Sequence, residues 1–238
     1  MAVADQKTTR QGLALLKSNP LAFLNQYALT AQGFIGGDTY LDRIGFLIDG
    51  NKAKAAPEEQ FLPMEEAGLI RQVPALVTPM RPAMVGPARV APIPRFGIGQ
   101  GASLWFTVRL TGCSILALDW GGAFSMVHLQ PFTQNSWNRG ASMLMGSSIS
   151  VSKTMTRYSL QGELSSVVAA SHNNQPPHHY ILVQSQWRTH FRGVTGVSNG
   201  AQWDFYRQEY DGNGAVQQVV QLNWTPWNHW GGYVAQGQ

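Results

Sequence analysis

The 238-residue chain has a single cysteine, Cys113, and only 13% charged residues. One cysteine excludes an intrachain disulfide and any zinc site built on a cysteine cluster. No run of about 18 apolar residues is present, so membrane insertion by a helix is not expected. Residues 1–7 lack the basic start, apolar core and cleavage site of a secretory signal, so any export is expected to use a non-classical route. Charge of either sign is scarce: 17 basic against 13 acidic side chains, a net +4. Residues 1–100 hold ten basic and eight acidic groups and residues 101–238 seven and five, so each part carries +2. That even spread excludes the concentrated basic stripe of a nucleic-acid binder. The 44% apolar content excludes general disorder and is enough for one core, or at most two small ones.

Composition shifts near residue 100. All eight tryptophans lie from Trp105 onward, and nine of the thirteen prolines precede it. Within residues 11–32, Leu13, Leu16, Leu21, Leu24, Ala28 and Ala31 recur at helical spacing. Asn19-Pro20 splits the pattern, predicting one helix ending near Ser18 and a second starting at Pro20 and closed by Gly33. Residues 38–50 form a further apolar element whose type the pattern leaves open. Residues 74–94, with six prolines, predict an extended strap and exclude a central strand. Beyond residue 102 the text reads as strands: 103–110, 114–118, 123–130, 148–160, 179–189, 202–210 and 216–224, with a short helix over 133–144. Asp211-Gly212-Asn213-Gly214 marks a hairpin. The expected fold is α+β: a β-sandwich of mixed strands edged by short helices and long loops. Its expected organisation is a partly helical, Pro-rich region over residues 1–100, and a catalytic sandwich over 101–238.

Cys113 follows Thr111-Gly112 at a turn into a strand, where glycine lets a substrate approach the backbone. A lone cysteine is commonly a small core residue. Here, however, His128 lies beyond the predicted turn Asp119-Trp120-Gly121-Gly122. A two-residue Gly121-Gly122 loop puts Cys113 and His128 on one face as diagonal neighbours; a four-residue loop puts them directly opposite. An odd loop or a bulge separates them. An imidazolium beside a thiol favours the thiolate, and a Cys-His pair supports acyl transfer. Thr107 offers a hydroxyl and a carbonyl to orient the ring.

The segment Trp105-Phe106-Thr107-Val108-Arg109-Leu110-Thr111-Gly112-Cys113, with the Gly-Gly turn and Val127-His128, resembles the catalytic segment of the glutamine-deamidating toxin family that includes the Burkholderia lethal factor and the cytotoxic necrotizing factors. That family shares a Leu-Ser-Gly-Cys motif, here Leu110-Thr111-Gly112-Cys113, with Thr111 keeping the serine's hydroxyl. Val194-Thr195-Gly196-Val197 and Asp204-Phe205-Tyr206 echo it faintly, and the first 100 residues show no match. The resemblance implies a toxin delivered into the cytoplasm of a host cell, acting as a monomer without metal or organic cofactor. It would deamidate a glutamine of a host protein such as a Rho-type GTPase or a translation-initiation RNA helicase. Cys113 would be the nucleophile, His128 the acid-base and Thr107 its orienting group, with Leu110, Thr111 and Gly112 supporting the motif. A transglutaminase or thiol protease could use the same pair. From a different class comes a non-catalytic Trp-rich sandwich that binds carbohydrate or protein.

Other signals carry less. His172, His178 and His179 lack a cysteine or a suitably spaced carboxylate for a metal site. His190 and His229 have no nameable partner. Gly97-Ile98-Gly99-Gln100-Gly101 lacks a phosphate-binding lysine. Trp224, Trp227 and Trp230 are expected to pin the C-terminal segment to the core rather than to stack sugars.

Overall fold

A computed structural model describes residues 6–36, 38–61, 69–82, 93–110, 113–130, 176–184 and 191–228. The chain begins with helices α1 (Gln6–Ser18) and α2 (Pro20–Gln26). They are separate because Asn19 caps the second, accepting the Ala22 N–H at 3.1 Å, while Pro20 occupies the first turn, where no N–H is needed. The second helix stops at Gln26, short of the predicted Gly33. The cause is tertiary. The buried Gln208 amide donates to the carbonyls of Leu24 and Tyr27 and accepts the Leu29 N–H at 2.8 Å. Tyr27 is already extended, and the chain runs on as strand β1 (Ala28–Ala31).

Further strands follow: β2 (Tyr40–Asp49), β3 (Lys52–Ala56), β4 (Arg71–Thr78), β5 (Met80–Pro82), β6 (Phe96–Gly97), β7 (Leu104–Thr107), β8 (Ser114–Asp119), β9 (Ala123–Gln130), β10 (His179–Gln184), β11 (Phe191–Ser198), β12 (Trp203–Tyr210), β13 (Val216–Leu222) and β14 (Thr225–Pro226). Among the described residues they form two sheets. The larger has the order β1-β3-β2-β4-β7-β11-β12-β13, and the smaller β14-β10-β8-β9-β5, with β6 also on β9. The larger sheet curls nearly closed, since Gln208 of β12 reaches β1 and Thr30 meets the Tyr210 hydroxyl at 3.4 Å.

Alternation along β7 shows the layering. Leu104 and Phe106 pack with Leu16, Phe23, Phe46 and Val77 on the helix side of the larger sheet. Trp105 turns to the other side, where Ile115, Ala117, Met126 and Ile181 of the smaller sheet meet it. The result is the expected β-rich α+β sandwich. Trp105 is its centre, with ring contacts to Phe96 at 6.0 Å, Trp203 at 5.3 Å and Phe205 at 5.9 Å. Edge-on aromatic pairs of this kind add about 0.5–1.5 kcal/mol each beyond burial. Gly196 makes the arrangement possible, because a Cβ there would fall 2.6 Å from the Phe205 ring and 3.0 Å from Trp105 Cβ.

The predicted strap over 74–94 is corrected in its first part. Pro74 lies within β4, between β2 and β7. It is tolerated because β7 pairs only Leu76, Val77 and Thr78 of β4; at Pro74 no ladder bond is left unmade on that side. Residues 1–100 therefore contribute to both sheets, β4 pairing with β7 while β5 and β6 pair with β9. The predicted helix over 133–144 and strand over 148–160 lie outside the described residues, as do His172, His190, His229 and Trp230. Trp224 packs on Phe124 and Phe205, and Trp227 on Tyr180, pinning the described C-terminal segment to the core.

Candidate active site

The β8–β9 ladder fixes the geometry of the cysteine and histidine. Asp119 pairs with Phe124 and Ile115 with His128, and the Trp120 N–H donates to Ala123 O at 2.8 Å. The loop is therefore Gly121-Gly122 alone, both at positive φ (77° and 100°), a conformation that selects glycine. The Asp119 carboxylate accepts the Gly121 N–H at 2.9 Å and tightens the turn. With this register His128 stands opposite Ile115, and Cys113 is two residues before Ile115. Cys113 and Ile115 share the inter-sheet cluster with Met126, the residue two before His128. Cys113 and His128 thus share the face that looks across at the larger sheet. A diagonal step of this kind is about 7–8 Å between backbones, within reach of a ring.

Thr107 faces the same space from the other sheet, since it lies two residues beyond Trp105 on β7. Thr78 pairs with Thr107 in the larger sheet, and Met80 pairs with His128 in the smaller. Three consecutive residues, Thr78, Pro79 and Met80, therefore carry the chain from beside Thr107 to beside His128. Hydroxyls bind this corner: Thr39 Oγ1 and Thr78 Oγ1 are 2.8 Å apart, Thr39 donates to Met126 O at 2.8 Å, and Trp105 Nε1 donates to Thr78.

The Thr107 hydroxyl does not reach His128. It donates to Val194 O at 3.1 Å. His128 is 0% exposed, and neither ring nitrogen has a hydrogen-bond partner. Burial pushes its pKa from 6.5 down to about 4, so the imidazole is neutral at pH 7 rather than the imidazolium expected from sequence. Cys113 is 3% exposed among core residues, although its place after Gly112 at a turn suggests an approachable thiol. The inward-facing alternation of β8 and β9, set by the Gly-Gly register, puts both side chains between the sheets.

Leu110 is buried in the same cluster and bridges to Arg192, its N–H donating to Arg192 O at 2.8 Å. Thr111 and Gly112 lie outside the described residues. Sequence reasoning missed the charged group near this end of the sandwich. Arg192 Nε is 2.7 Å from Glu209 Oε1, with Arg207 3.9 Å from the same oxygen, all three buried. It also missed a carboxylate partner for the paired histidines: His179 Nδ1 is 2.9 Å from Asp119 Oδ2, joined across the ladder rather than by sequence spacing. Among the described residues no cluster of three or more His, Cys, Asp or Glu side chains could hold a metal ion. Likewise no described helix is long and apolar enough to cross a membrane.

No protein-family profile matches the sequence, and no curated protein matches it. Among solved structures the chain is similar to the C-terminal domain of CNFy from Yersinia pseudotuberculosis, at a TM-score of 0.44 and 10% identity, covering 92% of this chain and 99% of that one. At that identity the likeness assigns no residue a role.

Proposed function

We propose that the chain is a cysteine-dependent protein-glutamine deamidase, with Cys113 as nucleophile and His128 as acid-base. One observation carries this reading: His128 is a fully buried imidazole with both nitrogens unpartnered, on the same face of a hairpin as the chain's single cysteine. A buried polar group without partners opposes stability, so its presence calls for a chemical reason. The motif around Leu110, Thr111, Gly112 and Cys113 supplies the reaction class.

In the proposed reaction, neutral His128 takes the Cys113 proton as sulfur bonds to the carboxamide carbon of the target glutamine. The imidazolium then returns that proton to the departing nitrogen as the C–N bond breaks, releasing ammonia and leaving a thioester. Water adds next, giving its proton to His128, and the C–S bond breaks to yield glutamate and restore the thiol. Backbone N–H groups around Cys113 are candidates to hold the tetrahedral oxyanion. The substrate is proposed to be a host protein, a Rho-type GTPase or a translation-initiation RNA helicase by sequence resemblance, met in the host cytoplasm.

The test is mass spectrometry of host lysate exposed to wild-type protein or to Cys113→Ser. Deamidation is expected to add about one dalton to particular glutamines in the wild-type arm only. New chain termini would mark a protease, and amine-linked products a transglutaminase. The 3% exposure of Cys113 favours a second reading, an inert core thiol in a non-catalytic binding sandwich. Iodoacetamide labelling of native protein at neutral pH separates the two, since an inert buried thiol reacts far more slowly than the same thiol in denatured chain.

A further inference from the structure

We propose that Arg192 and Glu209 are positioning residues for Cys113, an inference that rests on the cysteine chemistry proposed above. The β7–β11 ladder pairs Leu104 with Val197, Trp105 with Gly196 and Phe106 with Thr195. Continued in step, it would pair residue 109 with Arg192. Instead Leu110 does, so one extra residue is accommodated between Thr107 and Leu110. This is a one-residue bulge. It reverses the alternation beyond it, turning Leu110 into the inter-sheet core and leaving Arg109 exposed.

Two bonds close the chain over the bulge: Thr107 Oγ1 to Val194 O at 3.1 Å and Leu110 N–H to Arg192 O at 2.8 Å. The second lies three residues before Cys113, and Leu110 and Cys113 share one core cluster. The backbone of Arg192 thus anchors the segment that leads to the sulfur.

A second irregularity flanks Arg192 on the other side. Glu209 pairs with Gln218, but Tyr210 pairs with Val216, so the β12–β13 register slips immediately after Glu209. The Arg192–Glu209 cross-strand pair thus lies between two interruptions of the backbone ladder. There the side chains supply what the ladders do not. Arg192 Nε is 2.7 Å from Glu209 Oε1, and Arg207 donates to Gln218 Oε1 at 3.0 Å, tying the slipped strand to the same group. Buried ion pairs are poor sources of net stability, and apolar replacement of both partners is often neutral. Geometry is the better account of this one.

The experiment uses the full chain carrying Arg192→Met and Glu209→Leu together, which removes both charges of the pair while Arg207 keeps its bond to Gln218. Amide exchange at Leu110 is expected to quicken about tenfold or more while Trp105 and Phe106 stay protected. Iodoacetamide labelling of Cys113, which a neutral His128 speeds by taking the thiol proton, is expected to slow to the rate of the His128→Gln protein. Unchanged Leu110 exchange in a folded variant overturns the inference, and so does a wild-type labelling rate where His128→Gln lowers it. If His128→Gln itself labels at the wild-type rate, the Cys-His reading fails, while Leu110 exchange still decides whether the pair positions this segment. Should the double variant not fold, Glu209→Gln, which keeps the shape and one acceptor, is measured in the same way with the same criteria.

Discussion

His128 stands opposite Ile115 across the β8–β9 hairpin, on the face it shares with Cys113, and neither of its nitrogens meets a partner. A buried donor or acceptor left unmade costs about 1–3 kcal/mol, whereas an apolar side chain of similar shape carries no such penalty. His128→Met is therefore expected to raise unfolding stability at neutral pH by about 1–2 kcal/mol and to abolish deamidation. Urea unfolding checks the first part and the lysate assay the second. A destabilised variant would show that the ring is held for structure.

The same side chain sets an acid limit. Its folded-state pKa is about 4 and its ordinary value 6.5. Between those values the unfolded chain binds a proton at this histidine and the folded chain does not, so stability falls with pH through that window and is intact above it. The difference of about 2.5 units corresponds to about 3 kcal/mol lost by pH 4. Urea midpoints of wild type and His128→Met are expected to diverge as pH drops from 6.5 to about 4, the variant losing less. Parallel curves would mean that the ring is protonated in the folded protein.

Thr107 is expected to matter through the bulge. Thr107→Val keeps the shape but leaves Val194 O without its hydroxyl donor, for a loss of about 1–2 kcal/mol in urea unfolding. Thr107→Ser retains the donor and is expected to recover most of that. Equal losses in the two variants would point to packing of the methyl group instead.

The hairpin that joins Cys113 to His128 was readable because its determinants are local. Only glycine suits the positive φ at both Gly121 and Gly122, and a two-residue loop leaves one register. Asn19-Pro20 was readable for the same reason, as was Asp211-Gly212-Asn213-Gly214, where the Asp211 carboxylate accepts the N–H groups of Asn213 and Ala215. What escaped the sequence depends on distant partners. Pro74 in a central strand is acceptable only because β7 stops short of it. Residues 103–110 read as one strand, but β7 ends at Thr107 and the chain regains β11 only at Leu110, after a bulge that no residue type announces. Arg192 and Glu209, charged and on successive strands, look like solvated surface until the β11–β12 register sets them side by side in the core.

Gln208 is the clearest case of such remote control and gives the last prediction. Its amide satisfies two carbonyls at the end of α2 and the Leu29 N–H of β1, 179 residues away in the chain. Without it, residues 27–31 keep their helical periodicity, and only the Ala28 N–H bond to Asn51 O and the pairing with β3 oppose a longer helix. Gln208→Leu is expected to cost about 3 kcal/mol, because it leaves the Leu24 and Tyr27 carbonyls and the Leu29 N–H in the core with no side chain to meet them. Gln208→Glu is expected to fail similarly, since a carboxylate cannot donate to the two carbonyls. Amide exchange distinguishes local from global damage: Leu29 should lose protection in both variants, while the Trp105 amide in the sandwich centre keeps it. If Leu29 remained protected in Gln208→Leu, the pairing of β1 with β3 alone would be enough to end the helix, and the tertiary explanation for its early stop at Gln26 would be wrong.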